Sequence, residues 1–182
     1  MSKTVLKEIY RLYGLGMREG TLMYTPYVAV AKSLEQKKIL ITRRKGRIVG
    51  FLRFAFSKRK PVCKMYQIFV VPEWRGRGVG SQLLMRLEKL CKQHNIHKIE
   101  LKTAVYNVKA QRFYEKRGFK KKGIKNGKVQ EIIYEKTLSF LGGHNECTLH
   151  CLWILRVLSP FSRRDKITHI QRDIVQQSVK DC

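Results

Sequence analysis

The chain has 182 residues, 43% of them hydrophobic, which suits one core-bearing domain with an appendage and excludes a disordered polymer. No run approaches the ~20 apolar residues of a membrane span, and the N-terminus lacks the apolar block of a signal peptide, so a cytoplasmic protein with no membrane partner is expected. The formal net charge of +26 is the unusual feature; it favours polyanions and repels small cationic amines.

In chain order, Leu6, Ile9, Tyr10 and Tyr13 follow the spacing of one helical face, and Gly14 and Gly16 are expected to end that helix. A second helix is predicted after Pro26, with Tyr27, Val30, Ala31 and Leu34 inward. Residues 38–43 and Ile48 to Phe56 read as two strands joined by a turn at Lys45-Gly46. The loop Ser57 to Pro61 leads to a central strand, Val62 to Val71. A Gly-rich segment then opens a helix whose apolar face is Leu83, Leu84, Leu87, Leu90 and Cys91, stopping near His94-Asn95. Lys98 to Thr103 alternates as a strand, a helix runs from Asn107 to Gly118, and Asn126-Gly127 predicts a tight hairpin. Ile132, Tyr134 and Leu138 share one face of its second strand. The order ααβββαβαββ predicts an α/β fold of mixed sheet and helices over residues 1–138.

Residues 139–182 are a different text, expected to be helical or partly disordered. An apolar run, Leu149 to Leu158, follows Gly142-Gly143. His144, Cys147, His150 and Cys151 have the residue types of a zinc site, but adjacent His150 and Cys151 fit tetrahedral geometry poorly, so no metal is assigned. The five cysteines form no framework and suit reduced thiols.

The charge is uneven: residues 1–138 hold 33 Lys and Arg against 9 Asp and Glu, the remainder 6 against 4. Two readings stay open, a solvated basic surface or a substrate embedded in nucleic acid such as tRNA, ribosomal protein or chromatin-like material.

The segment Val70-Val71-Pro72-Glu73-Trp74-Arg75-Gly76-Arg77-Gly78-Val79-Gly80-Ser81 joins strand to helix. Its glycines let the backbone turn with N–H groups inward, and the helix N-terminus adds the positive end of its dipole, an arrangement built for a phosphate or pyrophosphate. The spacing is neither GxxxxGK[ST] nor GxGxxG with a later acidic residue. Arg75-x-x-Gly78-x-Gly80 resembles the acetyl-CoA loop of the GNAT N-acetyltransferase superfamily. Asn107-x-x-Ala110-x-x-Phe113-Tyr114-x-Lys116-x-Gly118-Phe119 resembles that family's later Tyr-bearing helix.

The resemblance, over roughly residues 5 to 138, implies the GNAT fold and direct acetyl transfer from acetyl-CoA to an amine. It implies a short or absent first strand at Ser2 to Leu6. It places pantetheine along Ile68, Phe69 and Val70, where the central strand splays from its neighbour, and the pyrophosphate on Arg75, Gly76, Arg77, Gly78, Val79, Gly80 and Ser81. Tyr114 matches the general acid, and Asn107 would cap its helix and bond the pantetheine arm. Related protein N-terminal acetyltransferases carry a Glu where this chain has Lys102. Glu100, two residues earlier on the same strand face, is the candidate base. Where other relatives place a Glu on the central strand, this chain has Tyr66 and Gln67.

The expected acceptor is macromolecular, a protein amine or one associated with nucleic acid or the ribosome, and the expected protein a monomer or homodimer. Two alternatives remain. Ala110-Gln111-Arg112-Phe113-Tyr114 also resembles the tRNA-acetylating toxins of the superfamily, though non-toxin relatives share it. A basic nucleic-acid-binding module with a vestigial acyl-CoA site is the other; the intact glycine loop and Tyr114 argue against it.

Overall fold

Helix α1 (Lys3–Arg18) starts where a first strand had room only to be short, and no strand precedes it among the residues that the computed structural model describes, 3–139. Gly14 and Gly16 lie inside α1 rather than ending it. Gly16 is buried, and a Cβ there would stand 2.6 Å from Leu22 Cδ1 and 3.0 Å from Phe69 Cδ2. It is a packing glycine, and the helix stops two residues later. Helix α2 (Tyr27–Glu35) buries Val30 and Leu34, whereas Tyr27 is exposed, edge-on to Tyr10 at 5.0 Å.

Strands β1 (Ile39–Arg44) and β2 (Arg47–Phe56) are joined through Lys45 and Gly46, both at positive φ, the two-residue turn that follows strand twist. Strand β3 (Val62–Val70) pairs antiparallel with β2, a 3-10 turn (Pro72–Trp74) follows, and α3 (Val79–Gln93) lies on the sheet. Strand β4 (Lys98–Ala104), helix α4 (Val108–Glu115) and the pair β5 (Lys120–Lys125) and β6 (Glu131–Thr137) complete the domain. The sheet order is β1-β2-β3-β4-β6-β5, antiparallel except for β3 against β4.

The Asn126-Gly127 hairpin is wider than a two-residue turn. Lys125 pairs with Glu131, and Gln130 C=O accepts from Val105 N–H at 3.0 Å, anchoring the loop to the end of β4. Residues up to Leu138 form one unit. The apolar run at 149–158, the expected helical character of this extension and the His/Cys group lie outside the described residues.

The core has two parts, one on each sheet face. Leu83, Leu84, Leu87 and Cys91 of α3 pack on Leu52, Cys63, Met65, Ile99 and Leu101. On the other face Ile9, Leu12 and Tyr13 of α1 pack on Ile48, Phe51 and Phe69. The described cysteines, Cys63 and Cys91, are free buried thiols; the neighbouring Cys91 raises the Cys63 pKa, and burial adds to it.

Burial also pushes the Tyr13 and Tyr134 phenols up from 10.0 to about 12, against the lowering effect of Arg53 on Tyr13 and with help from Glu115 at Tyr134. Burial raises Tyr114 further still. Raised folded-state values stabilise the fold fully below the unfolded pKa and lose that stability as pH climbs through the folded one. Stability is therefore expected to fall from pH 10 upward, by roughly 1.4 kcal/mol per pH unit and per tyrosine. Phenolate absorbance at 295 nm should show three of the eight tyrosines ionising at higher pH than the rest; eight titrating together near pH 10 would contradict it.

Candidate active site

The register of β3 with β4 runs only from Val62↔Lys98 to Met65↔Leu101. Beyond it the two strands part. A bulge at Arg53/Phe54 inserts Tyr66 as an extra residue on β3, so the alternation of faces resets there. Val71 N–H donates to Val49 C=O at 3.0 Å. By alternation, Ile68 and Val70 direct their backbone groups to the edge that β4 has left. Phe69 does not: it pairs with Phe51 and buries its ring beside α1.

A cleft of about 1010 Å³ passes through this parting. Side-chain alternation assigns its walls to opposite sheet faces. On the α3 face lie Ile68, Val70, Gly80, Asn107, Phe113 and Tyr114; on the α1 face lie Arg53, Lys64, Gln67, Glu100 and Lys102, with the Gly20 to Pro26 loop above them. Gly76, Arg77, Gly78, Val79 and Ser81 stand beside the cleft rather than in its lining.

That loop has the character of an anion cradle. Gly76 and Gly78 have φ of 74° and 78°, and a Cβ on either would meet nothing within 4 Å, so backbone conformation rather than space calls for glycine. The first intrahelical bond of α3 is Gln82 N–H to Gly78 C=O at 3.0 Å, and no side chain caps the helix. The N–H groups of Val79, Gly80 and Ser81 thus lack partners within α3 and lie at the positive end of its dipole. Val79 anchors this end by burying its side chain in the core.

The profile of the acetyltransferase (GNAT) family matches residues 6–119. The chain belongs to the GNAT acetyltransferase family. An uncharacterized N-acetyltransferase of Archaeoglobus fulgidus is 30% identical over 87 residues, 45% of this chain and 59% of that protein. The chain spans about half the length of the curated relatives it matches. The crystal structure of the Escherichia coli ribosomal-protein-S18-alanine N-acetyltransferase aligns with a TM-score of 0.64 and 18% identity, over 79% of this chain and 94% of that one. A Bacillus anthracis structure described as a streptothricin acetyltransferase in complex with acetyl coenzyme A aligns with a TM-score of 0.51 and 26% identity, over 54% and 61%. The GNAT fold expected from the sequence is the fold observed.

In this GNAT domain Tyr114 sits on α4 with its ring against Phe113, Phe119 and Tyr134, at centroid distances of 5.5, 5.8 and 6.1 Å. Among the described residues nothing hydrogen-bonds its hydroxyl, and no sealed side-chain polar atom lacks a partner. The hydroxyl therefore opens onto the cleft. Burial holds it protonated well above the usual phenol range.

Asn107 caps α4, its Oδ1 accepting from Ala110 N–H at 3.2 Å. Asn107→Ala should cost about 1 kcal/mol in chemical denaturation; an unchanged midpoint would show the cap to be idle. Arg75 is spent internally. Its Nε donates to Val70 C=O at 2.8 Å, and its guanidinium pairs with Glu19 and lies over Phe69. It braces the loop against α1 and β3. Arg77 stacks on Trp74.

Arg117 escaped the sequence reading. It donates to Ser81 Oγ and lies over Phe113, bringing a guanidinium to the start of α3. No signal in the linear pattern pairs two residues 36 apart. Glu100, the candidate base, is among the residues that line the cleft, while Glu73 is exposed in the 3-10 turn, outside it. Among the described residues no group of three or more His, Cys, Asp or Glu could hold a metal, and no helix is long and apolar enough to cross a membrane.

Proposed function

We propose that residues 1–138 form a catalytic domain that transfers the acetyl group of acetyl-CoA directly to a primary amine on an anionic, protein- or nucleic-acid-associated acceptor. The observation that carries this is the uncapped glycine-lined start of α3, set beside a cleft that leads through the β3/β4 parting to the Tyr114 hydroxyl. The family membership supports it. When bound, acetyl-CoA supplies the activated thioester.

The N–H groups at Gly78 to Ser81, with Arg117 and Arg77 beside them, hold the pyrophosphate. The backbone edge at Ile68 and Val70, with Asn107 opposite, receives the pantetheine arm, and an N–H there polarises the thioester carbonyl. Phe69 supplies the wall behind them. The amine nitrogen attacks the carbonyl carbon; the C–N bond forms and the C–S bond breaks. The amine proton leaves to Glu100 or through water, and Tyr114 gives its proton to the departing thiolate.

The test is thermal unfolding with acetyl-CoA titrated in, followed by thiol release with amine acceptors, starting with tRNA and ribosomal protein. A midpoint that rises with acetyl-CoA, reflecting about 2.7 kcal/mol of added stability at a hundredfold excess over Kd, supports the reading. No rise would overturn it and favour a nucleic-acid binder, which should respond to tRNA alone with steep salt dependence.

A further inference from the structure

The α1-side lobe of the cleft contains a guanidinium that the acetyl-transfer steps do not use. Arg53 is half-buried at the centre of β2, and its Nε donates to Gln67 Oε1 at 2.6 Å. Its Nη1 reaches Ser33 Oγ at 3.4 Å, and its plane lies over the Tyr66 ring, 4.6 Å from the centroid. Gln67 is itself fixed. Tyr13 donates to its Oε1 at 3.0 Å, and its Nε2 donates to Thr25 Oγ1 at 3.0 Å. The arginine is thus held in one pose by neutral partners, with a face toward the cleft that it lines.

Charge balance sharpens the point. The described residues hold five ion pairs, and Arg53 belongs to none. The lobe's carboxylates are Glu100 and Glu131. Glu100 stands opposite Lys64 in the strand register, and Lys102 adds a further cation. A charge withdrawn from water without a counter-ion is costly unless one arrives. An acceptor that fills this lobe takes the half-buried Arg53 further from solvent. A fixed guanidinium is the group best shaped to take an oxyanion in two parallel hydrogen bonds.

We propose that Arg53, positioned by Gln67 and Tyr66, is the acceptor-recognition residue of this cleft, and that the amine it admits carries an oxyanion, a carboxylate or a phosphate, a few bonds from the nitrogen. The role assigned to the amine rests on the acetyl-transfer reading; the anion site itself does not. Such an acceptor also matches the positive field of the domain, which lowers the local concentration of polyamines.

Two measurements separate the two claims. In the first, O-phosphoethanolamine is titrated into the protein alone by calorimetry, with wild type, Arg53→Met and Gln67→Glu. The second variant keeps the arginine but sets a carboxylate against it. Wild type should bind, and both variants should bind at least about tenfold more weakly, the loss expected for charge-assisted bonds. Arg53→Lys should restore part of it. In the second, thiol release from acetyl-CoA is followed with O-phosphoethanolamine, β-alanine, 2-methoxyethylamine and putrescine.

The anionic amines should exceed the neutral one about tenfold in kcat/KM, through KM, and the ratio should fall to about one in both variants. Which anion gains more distinguishes phosphate from carboxylate. Equal wild-type binding of neutral and anionic amines, or a preference that both variants retain, overturns the anion site while leaving acetyl transfer intact. Anion binding lost in the variants, in a protein that ignores acetyl-CoA, would uphold the site and overturn the transfer reading.

Discussion

Gly78→Glu is expected to abolish protection by acetyl-CoA while leaving a folded protein. The backbone at Gly78 has φ of 78°, where a side chain costs roughly 1–2 kcal/mol. A Cβ there points into open space, so no clash adds to that figure. The charge matters more. The carboxylate would stand at the uncapped start of α3, where it can take the free N–H groups of Val79, Gly80 and Ser81 and repel a pyrophosphate. Losing two charge-assisted hydrogen bonds at ~1.5–3 kcal/mol each weakens binding by at least about a hundredfold. Gly78→Ala carries the same backbone strain without the charge and separates the two effects. Calorimetry with acetyl-CoA on all three proteins decides it. Retained affinity in Gly78→Glu would show that the phosphates bind elsewhere.

Tyr114→Phe should lower kcat by ~10²–10⁴ with little change in acetyl-CoA binding, the range for losing a positioned proton donor. The ring packs among Phe113, Phe119 and Tyr134, and phenylalanine keeps those contacts. The hydroxyl has no partner among the described residues, so its removal orphans nothing. Burial raises its pKa, so the proton is retained throughout the neutral range, and wild-type activity should lose no alkaline limb to this group below pH 10. A thioester with a more acidic thiol needs less help in leaving and should lose less in the variant. A drop of under threefold, equal for both thioesters, would reduce Tyr114 to a packing residue.

The glycine loop and the Tyr-bearing helix were legible because both are local. Gly76 and Gly78 answer backbone needs set by their own few residues, and Asn107 caps the helix it precedes. Tertiary requirements were not legible. Gly16 reads as a helix stop, yet the helix continues because Leu22 and Phe69 close over it. Asn126-Gly127 reads as a two-residue turn, but the loop is held open by Val105 N–H on Gln130 C=O. The run from Met65 to Val71 shows apolar residues without showing the extra residue at Tyr66, which decides that Gln67 and Phe69 turn toward α1. Arg53 and Arg117 were lost among 33 basic residues, since pairing alone distinguishes them and pairing is spatial.

Because the residues of β3 beyond the bulge alternate between the two sheet faces, Ile68 and Val70 on one and Gln67 on the other, the donor and acceptor halves proposed for the cleft draw on separate sets of side chains. The two halves can therefore be varied independently. A library confined to Thr25, Arg53, Tyr66 and Gln67 would search for new acceptors against an unaltered donor half. A lineage carrying this bulge could exchange one acceptor for another without passing through an ancestor that had lost its hold on the donor.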